Sequence, residues 1–417
     1  MTKLPPLADV AHLDDPEFYA RAPHDVFARL RAEAPVFWCE GTKFWAVNRY
    51  EHVRHVLRHP ELFSSKDDQQ LESWANHREQ LFRFGEEPYP PDHALNLITV
   101  DKPLHTSYRK MVLRTGMFGA KATPAIEANL RPIIATRLAE VRDLEGEADD
   151  VLSAPIASAA VGEHLGLSSE YRDKIREWAE TVEPPEGVDS GDARTHAAEA
   201  MKEMWNALID QMRSGAREDR AVCLLRDAHA EDQAVDFDSL IAFICDLIVA
   251  GVEALRTTMT GSMVALAEHP DEWDRVVADV ELVPNVVEEL FRWVSPASSM
   301  GRVACADSEL GGQHIRTGDR VLMMFISANR DEEVFERADR FDAGREFRPG
   351  HLAFGLGMHL CLGAELSRTV LRVLLEEMRN AGVRPVLRGE PKRSPGYNAM
   401  SQFGSVPLAF EPAARHS

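Results

Sequence analysis

The chain has 417 residues, 44% of them hydrophobic, with 47 basic and 68 acidic side chains and a net charge of −21. A chain of this length buries enough apolar surface to need no disulfide framework, and its acidic balance speaks against a nucleic-acid partner, whose phosphates demand a basic face. Five cysteines (Cys39, Cys223, Cys245, Cys305, Cys361) lie far apart with no C-x-x-C pair, which argues against a zinc ribbon and for a reducing compartment.

The N-terminal residues 1–9 lack the apolar run of a signal peptide. Phe44 to Val47 reads as a strand, and residues 52–57 as part of the helix after it. Residues 84–92, rich in Pro and Glu, read as a loop, and so do residues 183–192. Between and beyond them, helical spacing predicts helices over 170–182, 195–213, 237–268, 283–294 and 362–381, with Gly382 as a stop. A short strand lies between Gly311-Gly312 and Thr317-Gly318-Asp319, a second covers 320–325, and residues 405–410 read as extended. The longest apolar stretch, 240–252, contains Asp246 and is too short for a span, which needs about 20 residues. A soluble, cytoplasmic protein, mainly α with a small β region in a single domain over 1–417, is the expectation.

The segment richest in chemistry is Phe354-Gly-Leu-Gly-Met-His-Leu-Cys-Leu-Gly363. Cys361 stands just before a predicted helix, whose N-terminus favours an anion and so a thiolate. Gly355, Gly357 and Gly363 let the backbone approach a large flat group and aim amides at the sulfur. Phe354 offers an apolar shield, and His359 offers a donor close by. A lone cysteine is ordinarily a small buried hydrophobe; the full string overrides that reading.

This string resembles the F-x-x-G-x-H-x-C-x-G haem-binding loop of the cytochrome P-450 family at every fixed position. Three further motifs are similar to that family's and occur in its order. Glu289-Leu-Phe-Arg292, alone an ordinary i, i+3 surface pair, resembles the buried E-x-x-R pair. The segment 101–109 resembles the entry to a helix over one haem edge, and residues 328–335 with 340–342 resemble the meander before the cysteine loop. The likeness covers residues 15–410. It implies the single-domain fold of that family and haem b (iron protoporphyrin IX) ligated through Cys361, with Phe354, Gly355 and Gly363 shaping the loop. It also implies His105, Arg109, Arg302 and His359 as donors to the haem propionates, a role that suits charge-assisted hydrogen bonding.

One position departs from the pattern. The long helix reads Ala250-Gly-Val-Glu-Ala254, so Ala254 stands where most members carry a threonine beside the acid. A methyl group donates no hydrogen bond. Glu253 remains as the acid for proton relay, with a solvated helix carboxylate as its bland reading. Thr257, one turn on, and Thr258 read first as residues bonding back to their own helix. The resemblance implies a monooxygenase that takes dioxygen, an apolar small molecule and electrons from a separate ferredoxin and its reductase, with no membrane partner. Ala254 keeps open a haem-thiolate enzyme that couples, desaturates or rearranges without inserting oxygen. A third reading is a non-catalytic haem-based sensor. Trp74, Phe82, Phe84, Tyr89, Met300, Met400 and Phe403 are expected at the pocket roof, together with residues 183–192.

Overall fold

A 32-residue helix, Phe237–Glu268, packs against the helices Ala154–Leu165, Ser169–Val182, Gly191–Ser214, Ala221–Asp232, Pro270–Ala278 and Val283–Val294. Its apolar residues are buried on nearly all sides, the mark of an interior helix. Asp236 caps it, accepting from the Ser239 amide at 2.8 Å and the Ser239 hydroxyl at 2.7 Å. Pro270 follows its last turn and starts the next helix, Pro270–Ala278. At Gly251 the neighbouring helix Ala154–Leu165 comes so close that a Cβ would stand 3.1 Å from Val161 Cγ2.

The computed structural model describes residues 5–66, 83–84, 87–88, 97–167, 169–182, 191–214, 221–232, 236–394 and 400–413. Beneath the long helix lie Val283–Val294 and Ala364–Ala381, the latter packed on Thr123–Val141. That last contact is laced by ion pairs in which Arg131 meets Glu127, Glu376 and Glu377 while Arg372 meets Glu127 and Glu376. The main sheet has the spatial order Val36–Cys39, Phe44–Val47, Arg320–Met324, Ser299–Ala304, Phe63–Ser64. Arg320–Met324 pairs in parallel with Phe44–Val47, and the other pairings are antiparallel. A second sheet orders Val383–Leu387, Pro407–Pro412, Glu145–Glu147. The fold is mainly helical with small sheets, as the sequence pattern predicts.

The helices Phe237–Glu268 and Val283–Val294 carry the expected bounds. The helix after the cysteine begins two residues late, at Ala364. Thr123–Val141 has no counterpart among the predicted elements, although Ile126, Leu130, Ile134 and Leu138 repeat every four residues and are buried. Tertiary packing on that stripe outweighs the hydrogen bond lost at Pro132. Of the two expected loops, residues 183–190 lie outside the described residues, and Gly191 and Asp192 already belong to the helix Gly191–Ser214. In the other, only the paired strands Arg83–Phe84 and Glu87–Pro88 are described. Among the described residues no helix is long and apolar enough to cross a membrane.

Candidate active site

The cysteine loop is held by its own backbone. The Cys361 amide donates to the Phe354 carbonyl at 2.9 Å, and the Gly355 amide to the Leu352 carbonyl at 2.9 Å. Gly355 and Gly357 have φ of 65° and 73°, the left-handed region that disfavours a side chain. At Gly357 a Cβ would also sit 2.9 Å from the Leu57 carbonyl oxygen, so the loop could not lie where it does with any other residue. The amides of Gly363 and Ala364, at the start of the helix Ala364–Ala381, favour the charged form of the Cys361 sulfur. Although Cys361 is solvent-exposed, desolvation of its sulfur pushes the thiol up, against the pull of those amides and of the Arg109 and Arg368 charges. The ring of Phe354 lies between Phe291, with centroids 4.5 Å apart, and the Arg368 guanidinium, 4.5 Å from its centroid.

Four basic side chains converge near this loop from three parts of the chain. His105 and Arg109 stand on the helix Leu104–Arg114, Arg302 on the strand Ser299–Ala304, and His359 in the cysteine loop. The two imidazoles are 4.5 Å apart edge to face, and His359 Nε2 lies 2.9 Å from the Ser65 hydroxyl. Burial, then the neighbouring Arg109, holds His105 down to about 4. Burial, then Arg302, His105 and Arg109, holds His359 down to about 3. Burial lowers Arg302 to about 10. Asp101 opposes these cations, but its carboxylate already accepts from the Ser64 hydroxyl and the Ser65 amide. His105 Nε2 is buried without a hydrogen-bond partner. Two guanidiniums and two neutral imidazoles, one with a buried unpartnered nitrogen, form a cradle for an anion. The two carboxylates at the edge of a haem fit it, with the thiol of Cys361 available to the iron.

The long helix passes this region with a stripe of small or polar residues. Asp246, Ala250 and Ala254, at i, i+4 and i+8, are more exposed than the residues around them. Glu253 is turned aside and buried. Its Oε1 accepts from Arg256 Nη1 at 2.9 Å and its Oε2 from Gln402 Nε2 at 3.0 Å. Arg256 in turn makes a two-point ion pair with Asp149, at 3.1 and 2.5 Å. Thr258 bonds back to the Ala254 carbonyl at 2.7 Å and Ser262 to the Thr258 carbonyl at 2.6 Å, the helix-internal role read for Thr258.

Glu289 and Arg292 are both fully buried, joined by two bonds of 2.7 Å. The surface-pair reading therefore gives way to a buried pair. A third member, Arg345, donates to Glu289 Oε2 at 2.9 Å. The two guanidiniums also bind the carbonyls of Asn329, Glu336, Arg337, Ala338 and Arg340, which fastens the meander to the helix Val283–Val294.

Comparison with known proteins agrees with this geometry. A sequence profile described as Cytochrome P450 matches residues 189–379. Linalool 8-monooxygenase of Pseudomonas putida is 34% identical over 87% of this chain and 90% of its own length. The chain belongs to the cytochrome P450 family. Steroid C26-monooxygenase of Mycolicibacterium smegmatis is 30% identical, covering 95% of each chain. The solved structure of CYP153D17 from a Sphingomonas species superposes with a TM-score of 0.84 at 28% identity, over 96% of this chain and 98% of that one. This P450 is accordingly an oxidoreductase of the monooxygenase type with haem as its cofactor.

Several polar partners in this P450 carry no local signal. Arg345, Gln402 and Asp149 lie 56, 149 and 107 residues from the groups they hold. Asp101 opens the segment that carries His105 and Arg109, but its bonds to Ser64 and Ser65 arise only where strand and helix entry meet. Of the residues expected at the pocket roof, Trp74, Phe82 and Tyr89 lie outside the described residues, and so does the side chain of Phe84. Ala297 and Met400 meet in a β-bridge, while Phe403 faces a different cavity, under Arg393.

Proposed function

We propose that this P450 is a haem-thiolate monooxygenase that inserts one oxygen atom into an apolar small molecule. The observation that carries the reading is the pairing of the Cys361 sulfur at a helix start with a cradle of two guanidiniums, Arg109 and Arg302, and two neutral imidazoles, His105 and His359. Haem b held through a cysteine thiolate supplies dioxygen reduction and O–O cleavage. Cys361 would hold the haem iron as a thiolate, with the Gly363 and Ala364 amides favouring the charge on its sulfur. The four basic side chains fix the cofactor edge. The Glu289–Arg292–Arg345 cluster keeps the meander and cysteine loop in register.

Proton delivery falls to Glu253, whose carboxylate must first release Gln402 or Arg256. The names of both relatives denote oxygen insertion, into linalool and into a steroid, which supports an apolar substrate. Electrons come from a separate ferredoxin and reductase, in the cytoplasm. A second reading, coupling or desaturation without oxygen insertion, draws on the same helix: the alcohol is missing at Ala254 and the acid beside it is engaged.

The test is spectroscopic. Reduced wild type under carbon monoxide gives a strongly red-shifted Soret band, and Cys361→Ser loses it. No shifted band in wild type would end the haem-thiolate reading. With competent redox partners and a substrate panel, product carrying labelled oxygen from dioxygen supports the monooxygenase, and unlabelled product the second reading.

A further inference from the structure

Away from the cysteine loop, a cavity of about 540 Å³ opens between the last turns of the long helix, the end of Val283–Val294 and the strands Lys392–Arg393 and Phe403–Ser405. In a chain of net charge −21 its lining runs the other way. His24, Arg330 and Arg393 face it, with Arg21 and Lys392 at its mouth, against the carboxylates of Glu268 and Glu390. Both inner guanidiniums are stacked on aromatic rings. Arg330 Cζ lies 3.7 Å from the Trp293 ring centroid, and Arg393 Cζ lies 4.6 Å from that of Phe403.

Stacking fixes the plane of a guanidinium and leaves its N–H edge as the reactive side. Here those edges are underused. Among the described residues Arg330 makes one side-chain hydrogen bond, from Nη2 to the Trp293 carbonyl at 3.3 Å, and its Nε is buried without a partner. His24 Nδ1 is buried without a partner as well. Among the described residues neither arginine has an ion pair within 4 Å; Glu268 acts on Arg393 only at a distance. The cations oppose one another instead. Burial, then Arg292 and Arg393, lowers Arg330 to about 9, and burial, then Arg330, lowers His24 well below its usual value. Uncompensated charge of this kind is costly unless something supplies the counter-charge.

We propose that this cavity is a binding site for an oxyanion, a phosphate or a carboxylate, received by Arg330, Arg393 and His24 and separate from the haem site. A planar or tetrahedral oxyanion meets a guanidinium edge through two parallel N–H bonds. The aromatic floor and the single mouth carboxylates leave room for the rest of a small metabolite. Binding would stabilise the fold by mass action and would cover the end of the long helix, remote from Cys361.

The experiment titrates haem-loaded wild type, Arg393→Gln and Arg393→Lys, in anion-poor buffer at constant ionic strength, with inorganic phosphate and, separately, with succinate. Heats are read by calorimetry, and thermal midpoints are read in parallel. Wild type should saturate with at least one of the two anions and rise in midpoint, and Arg393→Gln should bind roughly ten- to a hundred-fold more weakly. Arg393→Lys should recover part of the loss. Without added anion, Arg393→Gln should be no less stable than wild type, since it removes a cation that repels Arg330. Phosphate-only or succinate-only binding each supports the site and names its ligand class. Heats and midpoints indistinguishable between wild type and Arg393→Gln, with both anions, would overturn it. If Arg393→Gln fails to load haem, Arg330→Gln replaces it with the same expected loss.

Discussion

Glu289→Gln is nearly isosteric, yet it should be among the most damaging single changes in this protein. The Glu289 carboxylate accepts four hydrogen bonds: Arg292 Nε and Nη2 at 2.7 Å, and Arg345 Nε and the Asp342 amide at 2.9 Å. A glutamine keeps one oxygen, so it satisfies one pair of donors and points an NH2 group at the other. Two guanidiniums would then be left buried with no carboxylate between them. Removing one partner of a buried ion pair costs about 3–5 kcal/mol, a large share of a total stability of roughly 5–15 kcal/mol. The assay is urea unfolding of haem-loaded wild type and variant at pH 7, followed by tryptophan fluorescence and the Soret band. Arg345→Lys is the graded control: it keeps a charge near Glu289 but gives up carbonyl contacts to Glu336, Arg337 and Arg340, and about 2 kcal/mol is expected. If Glu289→Gln unfolds within about 1 kcal/mol of wild type, the argument that this carboxylate neutralises two buried cations is wrong.

Gln402→Leu removes the hydrogen bond to Glu253 Oε2 and leaves the Arg256 bond in place, so haem loading should be unchanged. Product formed per NAD(P)H consumed should change by a few-fold, roughly the worth of one charge-assisted bond; unchanged coupling would remove Glu253 from proton delivery. Ala254→Thr should fold within about 1 kcal/mol of wild type, because the position is half-exposed and threonine costs only helix propensity there. Peroxide release during turnover reports whether the restored alcohol tightens proton delivery, and no change would mean that the donor comes from elsewhere. Burial raises Glu288, but the His351 imidazole 3.2 Å away and two hydrogen bonds from Arg368 outweigh it and hold the carboxyl at about 2, below its unfolded value of 4.5. The unfolded chain therefore binds more protons in that window, so the stability from Glu288 is full above about pH 4.5 and is lost as pH falls towards 2. Glu288→Gln should flatten that acid limb by roughly 2 kcal/mol in urea unfolding at pH 3 against pH 7; an unchanged slope would refute the assignment.

The sequence by itself determined whatever is written in a short span. Ten consecutive residues give the cysteine loop, because a turn forced by left-handed glycines and a sulfur at a helix start are local facts. Apolar spacing likewise gives the long helix and its bounds, and i, i+3 spacing puts Glu289 and Arg292 on one face. The resemblance named His105, Arg109, Arg302 and His359 singly. Their convergence, and the buried His105 nitrogen without a partner that makes them a cradle, appear only when helix, strand and loop are brought together.

Only the tertiary structure decided how charges are paired. Spacing alone presents Glu253 as a free acid, yet residues more than a hundred positions away fill its neighbourhood. Glu289 reads as a surface partner until burial and Arg345 remove water from around it. Phe403 belongs to an apolar pattern in either reading, but the fold places it beneath Arg393. The physical reason is common to all three. Helix and turn formation depend on neighbours within a few residues, whereas the fate of a charge depends on whichever groups the fold brings within a few ångströms and on the water it excludes.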